Sequence, residues 1–420
     1  MPPPESRKTL RQLLNPTWQN PLTLSRWVLA WAILGIGCGL FASAYWLVLA
    51  NLIQGLETWD GLILLVVMPL SGLLIGLIIH VLGNPGEIGL MIDNIHSQGG
   101  RLETRENPSM ILTSLLSIAS GGSAGPEAPM VQVTGSLGTW MADRLHLQGE
   151  NLRSFSIAGM AAGFTVLFGA PLGGALFALE ILHHQHVLEY YEAILPALVS
   201  SCAAYAVFVA ITHLGLNPTW DFPQYQVSNI DDFALALLYG AVGAIAGWVF
   251  IYIFRIFDRL VDRYLARPIY VRTTIAGLGL GILAVLVPLT RYFGEHQLNS
   301  VLVGEMSAIA LLGLAIAKMI AISITVTGGW RGGIIIPLFF TGACLGKAIG
   351  NVIPALDPVL AMICIMAALN VTVTRTPLST TLLLSKLTGF SPFTPILFAS
   401  LVGFFLAPRT PFIESQLKDE

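Results

Sequence analysis

Charge is what this chain lacks most. Its 420 residues include 21 Lys and Arg and 24 Asp and Glu, 11% in all, where a soluble domain carries about 25%. So few charges cannot clothe a water-facing surface, which excludes a soluble globular fold. The formal net charge of -3 leaves no basic surplus, so nucleic acid is not an expected partner. Cysteine is scarce too. Cys38, Cys202, Cys344 and Cys364 stand in apolar surroundings without paired spacing, which argues for packing rather than a disulfide framework or a metal site. No nucleophile–base pair, phosphate loop or metal motif is present, so an enzyme is not expected. Residues 1–25 have no apolar run behind a basic start and do not read as a cleaved signal peptide. The short polar end beyond the last apolar run predicts no appended soluble domain.

What is present is apolar length. Hydrophobic residues make up 55% of the chain. They gather in runs at 27–53, 62–82, 155–182, 190–213, 235–254, 273–289, 307–325, 338–349, 359–373, 378–387 and 395–406. Several reach the ~20 residues that cross a bilayer, so the chain reads as an all-α polytopic membrane protein. Arg7, Lys8 and Arg11, with Arg26 just beyond, place segment 1–25 in the cytoplasm by the positive-inside rule. Residues 26–214 form a first membrane unit, 215–232 a polar and aromatic connection, 233–408 a second unit and 409–420 a short tail. Arg255, Arg259, Arg263 and Arg267 recur every four residues as one basic stripe on a helix leaving the membrane. Together with Arg272 they mark that end as cytoplasmic, against the headgroups. Lys318, Lys347 and Lys386 lie in apolar runs and are expected to snorkel or pair. Trp46, Trp59, Trp140 and Trp330 read as interfacial anchors.

The stretch 119–129, A-S-G-G-S-A-G-P-E-A-P, breaks this pattern. Glycine and proline at membrane depth mean interrupted helices, tolerated only where protein or a water-filled cavity covers the backbone. The break carries one acid, Glu127, and a carboxylate there costs ~2.5–3.5 kcal/mol or more. The chain cannot stay helical through Gly125 and Pro126, but from Met130 onward it can. Glu127 is therefore expected at a helix N-terminus inside the bilayer, where free N–H groups attract negative charge. This predicts an anion pathway with a carboxylate in it.

The chain also repeats. Met160, Ala161 and Ala162 precede Pro171 and Leu172 as Met366, Ala367 and Ala368 precede Pro377 and Leu378. Upstream, Gly125-Pro126-Glu127-Ala128-Pro129 and Gly333-Ile334-Ile335-Ile336-Pro337 share the form G-x-x-x-P at nearly the same offset. Repeat-built transporters place their site between broken helices of the two halves. The two G-x-x-x-P segments are therefore expected to face each other.

These residues resemble the CLC family of chloride channels and chloride–proton antiporters over nearly the whole membrane portion. Residues 125–129 match the family's G-[KR]-E-G-P filter motif and 333–337 its G-x-F-x-P motif, with Ile335 where phenylalanine is usual. The run from Gly169 to Glu180 is similar to its middle signature. The resemblance implies two inverted-topology repeats of tilted and discontinuous helices, about eighteen in number, and a homodimer with one pore per subunit. It implies that Glu127 is the gating glutamate and that main-chain amides near 125–128 and 333–336 bind the anion. Oriented amides suit a halide, since they admit it and still release it, which a fixed cation would not. Chloride is the implied substrate and protons a coupling ion, with no cofactor.

Four positions depart from the family pattern. The first filter motif, usually G-S-G-I-P, reads Gly83-Asn84-Pro85-Gly86-Glu87, with Asn84 as the best match to the filter serine. The inner proton glutamate falls on Ile181, which cannot carry a proton, next to Glu180. Glu180 is read first as a capping or pairing acid and second as a proton route. The tyrosine of the inner mouth falls on Ile413, with Phe412 beside it as the space-filling inner gate. Paired nucleotide-binding-like domains are missing. His183, His184 and His186 follow Glu180 and read as a solvated helix end, with a proton relay as the alternative. Channel and antiporter both remain open, with the exchanger favoured. Fluoride export is a second reading, and small organic anion transport a third.

Overall fold

The computed structural model describes residues 21–85, 92, 100–182, 193–223, 225–265, 267–353, 355–389, 392–413 and 416. The histidines at 183, 184 and 186 lie outside the described residues. The described residues form fifteen α-helices and two short 3-10 turns, Gly61–Ile63 and Pro288–Thr290. No strand occurs among them; one isolated bridge joins Gly125 to Gly333.

The first half comprises α1 (Pro21–Glu57), α2 (Leu64–Leu82), α3 (Asn107–Ala119), α4 (Glu127–Arg144), α5 (Glu150–Phe168), α6 (Pro171–Glu180) and α7 (Ile194–Thr212). The second comprises α8 (Asp231–Tyr264), α9 (Ile269–Leu286), α10 (Glu295–Val303), α11 (Ala308–Thr327), α12 (Ile335–Val352), α13 (Pro358–Thr374), α14 (Pro377–Leu387) and α15 (Phe393–Phe405). Seven segments are long and apolar enough to cross a bilayer: Ser25–Glu57, Gly61–Leu82, Ile194–Thr212, Asp231–Tyr264, Ile269–Leu286, Ala308–Thr327 and Ile335–Val352. The chain is an integral, multi-pass membrane protein.

The repeat is visible element by element. Helices α4 and α12 are each 18 residues long and begin 208 positions apart. Helices α3 and α11 end at Ala119 and Thr327, the same distance apart. The breaks after α5 and α13 share one chemistry. Gly169 and Arg375 each take a left-handed conformation (φ 64° and 61°), and each is followed two residues later by a proline that opens the next helix. A left-handed residue ends a helix and proline is at home in the first turn of the next, so the sequence stops and restarts the backbone at matching places. Helix α10 has no counterpart among the described residues of the first half.

Repeat-related helices meet across the two halves, α2 against α9 and α6 against α14. In the first pair Gly72 lies against the backbone of Thr273 and Thr274, and Gly277 against that of Met68 and Pro69. A methyl group at either glycine would strike main chain, so these positions set how closely the helices approach. In the core, Phe164 and Phe177 pack with ring centroids 4.5 Å apart.

Several expectations change here. In the connection at 215–232, Trp220 and Phe222 are buried in the core and Trp220 meets the Phe339 ring edge-on at 5.9 Å. Trp330 is not an interfacial anchor. It is 1% exposed, and its Nε1 donates to the Thr273 carbonyl at 2.9 Å. An indole that finds a main-chain acceptor can be buried without loss. Trp59 and Trp140 are exposed, and Trp46 is half-buried against Phe208 and Phe293. The arginine stripe shortens to Arg255, Arg259 and Arg263, since α8 ends at Tyr264, before Arg267. All three lysines donate to main-chain carbonyls. Lys318 is fully buried and donates to the carbonyls of Thr290 (3.0 Å), Arg291 (3.4 Å) and Tyr292 (2.6 Å). Lys347 donates to the carbonyls of Val301, Leu302 and Gly304, and Lys386 to those of Leu216 and Asn217. A lysine near a helix C-terminus satisfies carbonyls that have no helical partner.

Candidate functional site

The two G-x-x-x-P breaks meet. Gly125 N donates to Gly333 O at 2.8 Å, and Gly333 N donates to Gly125 O at 2.6 Å. This reciprocal pair clamps the start of α4 to the start of α12. Glu127, the first residue of α4, is 0% exposed. Its Oε1 accepts from Ile336 N on α12 at 2.8 Å, while Oε2 has no hydrogen-bond partner among the described residues. A Cβ built on Gly125 or on Gly333 would strike the Glu127 carboxylate, so only glycine leaves room for the acid at both breaks.

The amides at this junction are fewer than the motifs suggest. Gly125 and Gly333 spend theirs on each other, which removes both from the expected anion donors. Pro126, Pro129 and Pro337 have no N–H, and proline stands third in both helices. The N–H groups left at the two helix starts are those of Glu127 and Ala128 on one side and of Ile335 and Ile336 on the other, with Ile334 just before. Ala128, Ile335 and Ile336 are buried. Each helix start carries the equivalent of roughly +0.5 charge, and here two converge on one carboxylate.

The other sequence candidates make contacts of their own beside this junction. Asn84 follows α2 with an exposed side chain, and its Oδ1 accepts from the guanidinium of Arg331. Arg331, two residues before Gly333, is 6% exposed, a near-buried cation that reading the motifs did not single out. Phe412 packs its ring at 4.8 Å from Phe254 and 5.6 Å from Phe250, both on α8, in a cluster that includes Ile334. Ile413 packs against the main core.

Glu180 ends α6, and its carboxylate accepts from Leu378 N (3.0 Å), Ser379 N (2.7 Å) and Ser379 Oγ (2.5 Å). It therefore caps α14, as a side-chain acceptor does at any helix N-terminus. We expect Glu180→Gln to lower stability by about 1–2 kcal/mol and to leave proton flux unchanged. Thermal unfolding in detergent and proton flux in liposomes check the two halves of this expectation. Ile181 follows, 1% exposed. Its carbonyl and that of Thr374 both accept from Gln416 Nε2 at 3.0 Å. One buried glutamine thus joins the ends of α6 and α13, a link with no sequence signal beyond a lone amide near the tail.

A cavity of about 240 Å³ reaches the junction from one face of the fold. Ile336 and Gly169 line it at depth, Trp46, Phe208 and Trp220 form aromatic walls, and residues 213–219 ring it. Glu295, the first residue of α10, also lines it.

The family model described as voltage gated chloride channel matches residues 71–408. The chain belongs to that family. The curated chloride/fluoride channel protein of Pseudomonas syringae pv. tomato is 25% identical over 405 residues, covering 94% of this chain and 86% of that protein. Among solved structures, a CLC-type fluoride/proton antiporter superposes with a TM-score of 0.84 at 21% identity, covering 94% of this chain and 99% of that one. A slow cyanobacterial chloride/proton antiporter superposes with a TM-score of 0.79, also at 21% identity, over 92% and 96% of the two chains. The all-helical fold with its broken helices is thus the CLC fold.

Proposed function

We propose that this chain moves halide ions, chloride foremost, across a membrane in exchange for protons, with Glu127 as its gate. The observation that carries the reading is the Glu127 carboxylate seated at two converging helix N-termini, one oxygen on Ile336 N and the other unpartnered. A halide wants the same seat for the same reason, namely oriented N–H dipoles with no fixed cation on the acid. Ionised, Glu127 holds the seat. Protonated, it loses its charge and the attraction that keeps it there, and an anion takes its place. Each exchange couples one charge moving one way to a proton bound the other way.

The amides of Glu127, Ala128, Ile334, Ile335 and Ile336 are the anion donors of this reading, and Gly125 and Gly333 are its frame. Pro126, Pro129 and Pro337 shape the two helix starts. Asn84 stands on the inner approach, with Phe412 and Ile413 at the inner mouth. The arginine-bearing end of α8 faces the cytoplasm, as does segment 1–25, in a plasma or inner membrane. The working unit is a homodimer with one site per subunit. The protein acts as a transporter without a cofactor. Ile181, where an acid would serve the inner proton path, makes the coupling weak rather than tight.

Reconstituted protein under a chloride gradient tests this. The reversal potential should move when a pH gradient is added. A potential that follows chloride alone, whatever the pH gradient, would leave a passive channel.

A second reading, fluoride export, draws on Asn84 in place of the filter serine. The solved fluoride/proton antiporter and the chloride/fluoride channel relative support it. Fluoride efflux from liposomes exceeding chloride efflux by about tenfold, near 1.4 kcal/mol of discrimination, would favour it.

A further inference from the structure

A second carboxylate lies on the way to Glu127. Glu295 lines the same cavity as Ile336, whose N–H holds the Glu127 carboxylate. Exposure falls from His213, at the end of α7 and exposed, to Glu295, partly buried, both lining the cavity. Glu127, fully buried, lies behind the cavity lining at Ile336. The aromatic walls contribute the indole N–H groups of Trp46 and Trp220, and that of Trp220 is buried without a partner among the described residues. Glu295 makes no hydrogen bond or ion pair with any described residue. A partly exposed carboxylate that lines a water-sized cavity and meets no described partner is placed to take up and release a proton there.

Its position is also fixed with care. Gly294, just before it, takes φ 100°, and a Cβ there would strike Phe340 of α12. Leu298 and Val301 bury the inner side of α10. Lys347 of α12 holds the carbonyls at the far end of α10, and Lys318 of α11 holds the carbonyls of residues 290–292 ahead of it. Both ends of the segment are therefore tied to the helices that build the site. The charged groups packed around Glu295 are otherwise engaged. Lys318 and Lys347 serve carbonyls, and Arg291 donates to Trp59 O and the Tyr292 hydroxyl. His213 shares the cavity, and His296 is exposed beside it.

We propose that Glu295 is a proton-carrying carboxylate that passes protons between the His213 face and Glu127 through water in this cavity. The cavity has room for several waters at about 30 Å³ each. A proton arriving from solvent at the His213 face binds the Glu295 carboxylate. It then crosses by water to Glu127, which releases its hold on Ile336 N as an anion takes the seat. With the proton gradient reversed the same steps run backwards: Glu127 gives its proton to water, Glu295 takes it up and solvent at the His213 face receives it, so the proton is accounted for at each transfer. This inference rests on the reading of Glu127 as the gate.

The test measures proton and chloride flux side by side in liposomes for the wild type, Glu295→Gln, Glu295→Asp and Glu127→Gln. Glu295→Gln should cut proton flux by about a hundredfold, the low end for a lost proton-transfer group, while chloride flux stays within about twofold. Glu295→Asp should restore most of the loss. Unchanged proton flux in Glu295→Gln overturns the proposal, as does a fall in chloride flux alone, which would make Glu295 an electrostatic element. If Glu127→Gln abolishes proton flux and Glu295→Gln does not, only this proposal fails. If Glu127→Gln itself still moves protons, the gate reading fails first. Should Glu295→Gln not fold, Glu295→Ala gives the second reading: a fall in proton flux at unchanged chloride flux supports the route, and proton flux equal to the wild type overturns it.

Discussion

Glu127→Gln is expected to keep anion transport and to end proton exchange. Glutamine has nearly the shape of the acid, and its amide oxygen can still accept from Ile336 N, as Oε1 does at 2.8 Å. What it lacks is charge and a proton to give up. The competitor for the seat becomes a neutral amide, so the anion meets less opposition. Proton flux should drop by about a hundredfold, in the range for loss of a positioned proton-transfer group, and chloride flux should lose its pH dependence. The reversal potential of the reconstituted variant should then follow the anion gradient alone. The sign of the wild-type pH response follows from the same competition. Falling pH neutralises the carboxylate, frees the seat and speeds anion flux, and rising pH slows it. A Glu127→Gln protein that still drove protons against chloride would refute the role given to this acid.

Lys318→Met should be among the most destabilising single changes in the chain. The lysine is 0% exposed, and its ammonium serves three carbonyls at the turn before α10. Its Nζ also lies 5.3 Å from the Phe340 ring centroid. Methionine fills similar space and donates nothing. Leaving a buried acceptor unsatisfied costs about 1–3 kcal/mol, and more than one acceptor is orphaned here, so the loss should be about 3 kcal/mol or more. Thermal unfolding in detergent reads this directly. A midpoint equal to that of the wild type would mean the ammonium contributes nothing. The same substitution frees the turn that leads into Glu295, so a folded variant should also show slower proton flux.

Much of this could be read in the chain beforehand, because lipid makes sequence emphatic. Where backbone groups must be satisfied internally, a break in an apolar run has to be written with glycine and proline. That is why the stops at Gly125-Pro126, Gly169-Pro171 and Thr376-Pro377 were legible, and why Glu127 stood out. Helix α10 was not legible. Its nine residues, EHQLNSVLV, are too short and too mixed to form an apolar run, yet Leu298 and Val301 anchor it. The partners of Lys318 were hidden for another reason. They are carbonyls, and every residue has one, so no side chain announces them. Trp330 misled because tryptophan beside glycines and an arginine looks like a membrane surface, and only the folded chain brings the Thr273 carbonyl to its ring nitrogen. The junction was readable in outline only. Two matching motifs imply that two helix starts meet, but not that Gly125 and Gly333 use up their own amides in meeting.

That last feature bears on how quickly the protein works. With the halves latched main chain to main chain beside the acid, the aperture there has a set width, and opening falls to rotation about a few side-chain bonds. On the proposed reading, the tempo of exchange follows the supply of hydrogen ions through the cavity that Ile336 lines, not a rearrangement of the scaffold.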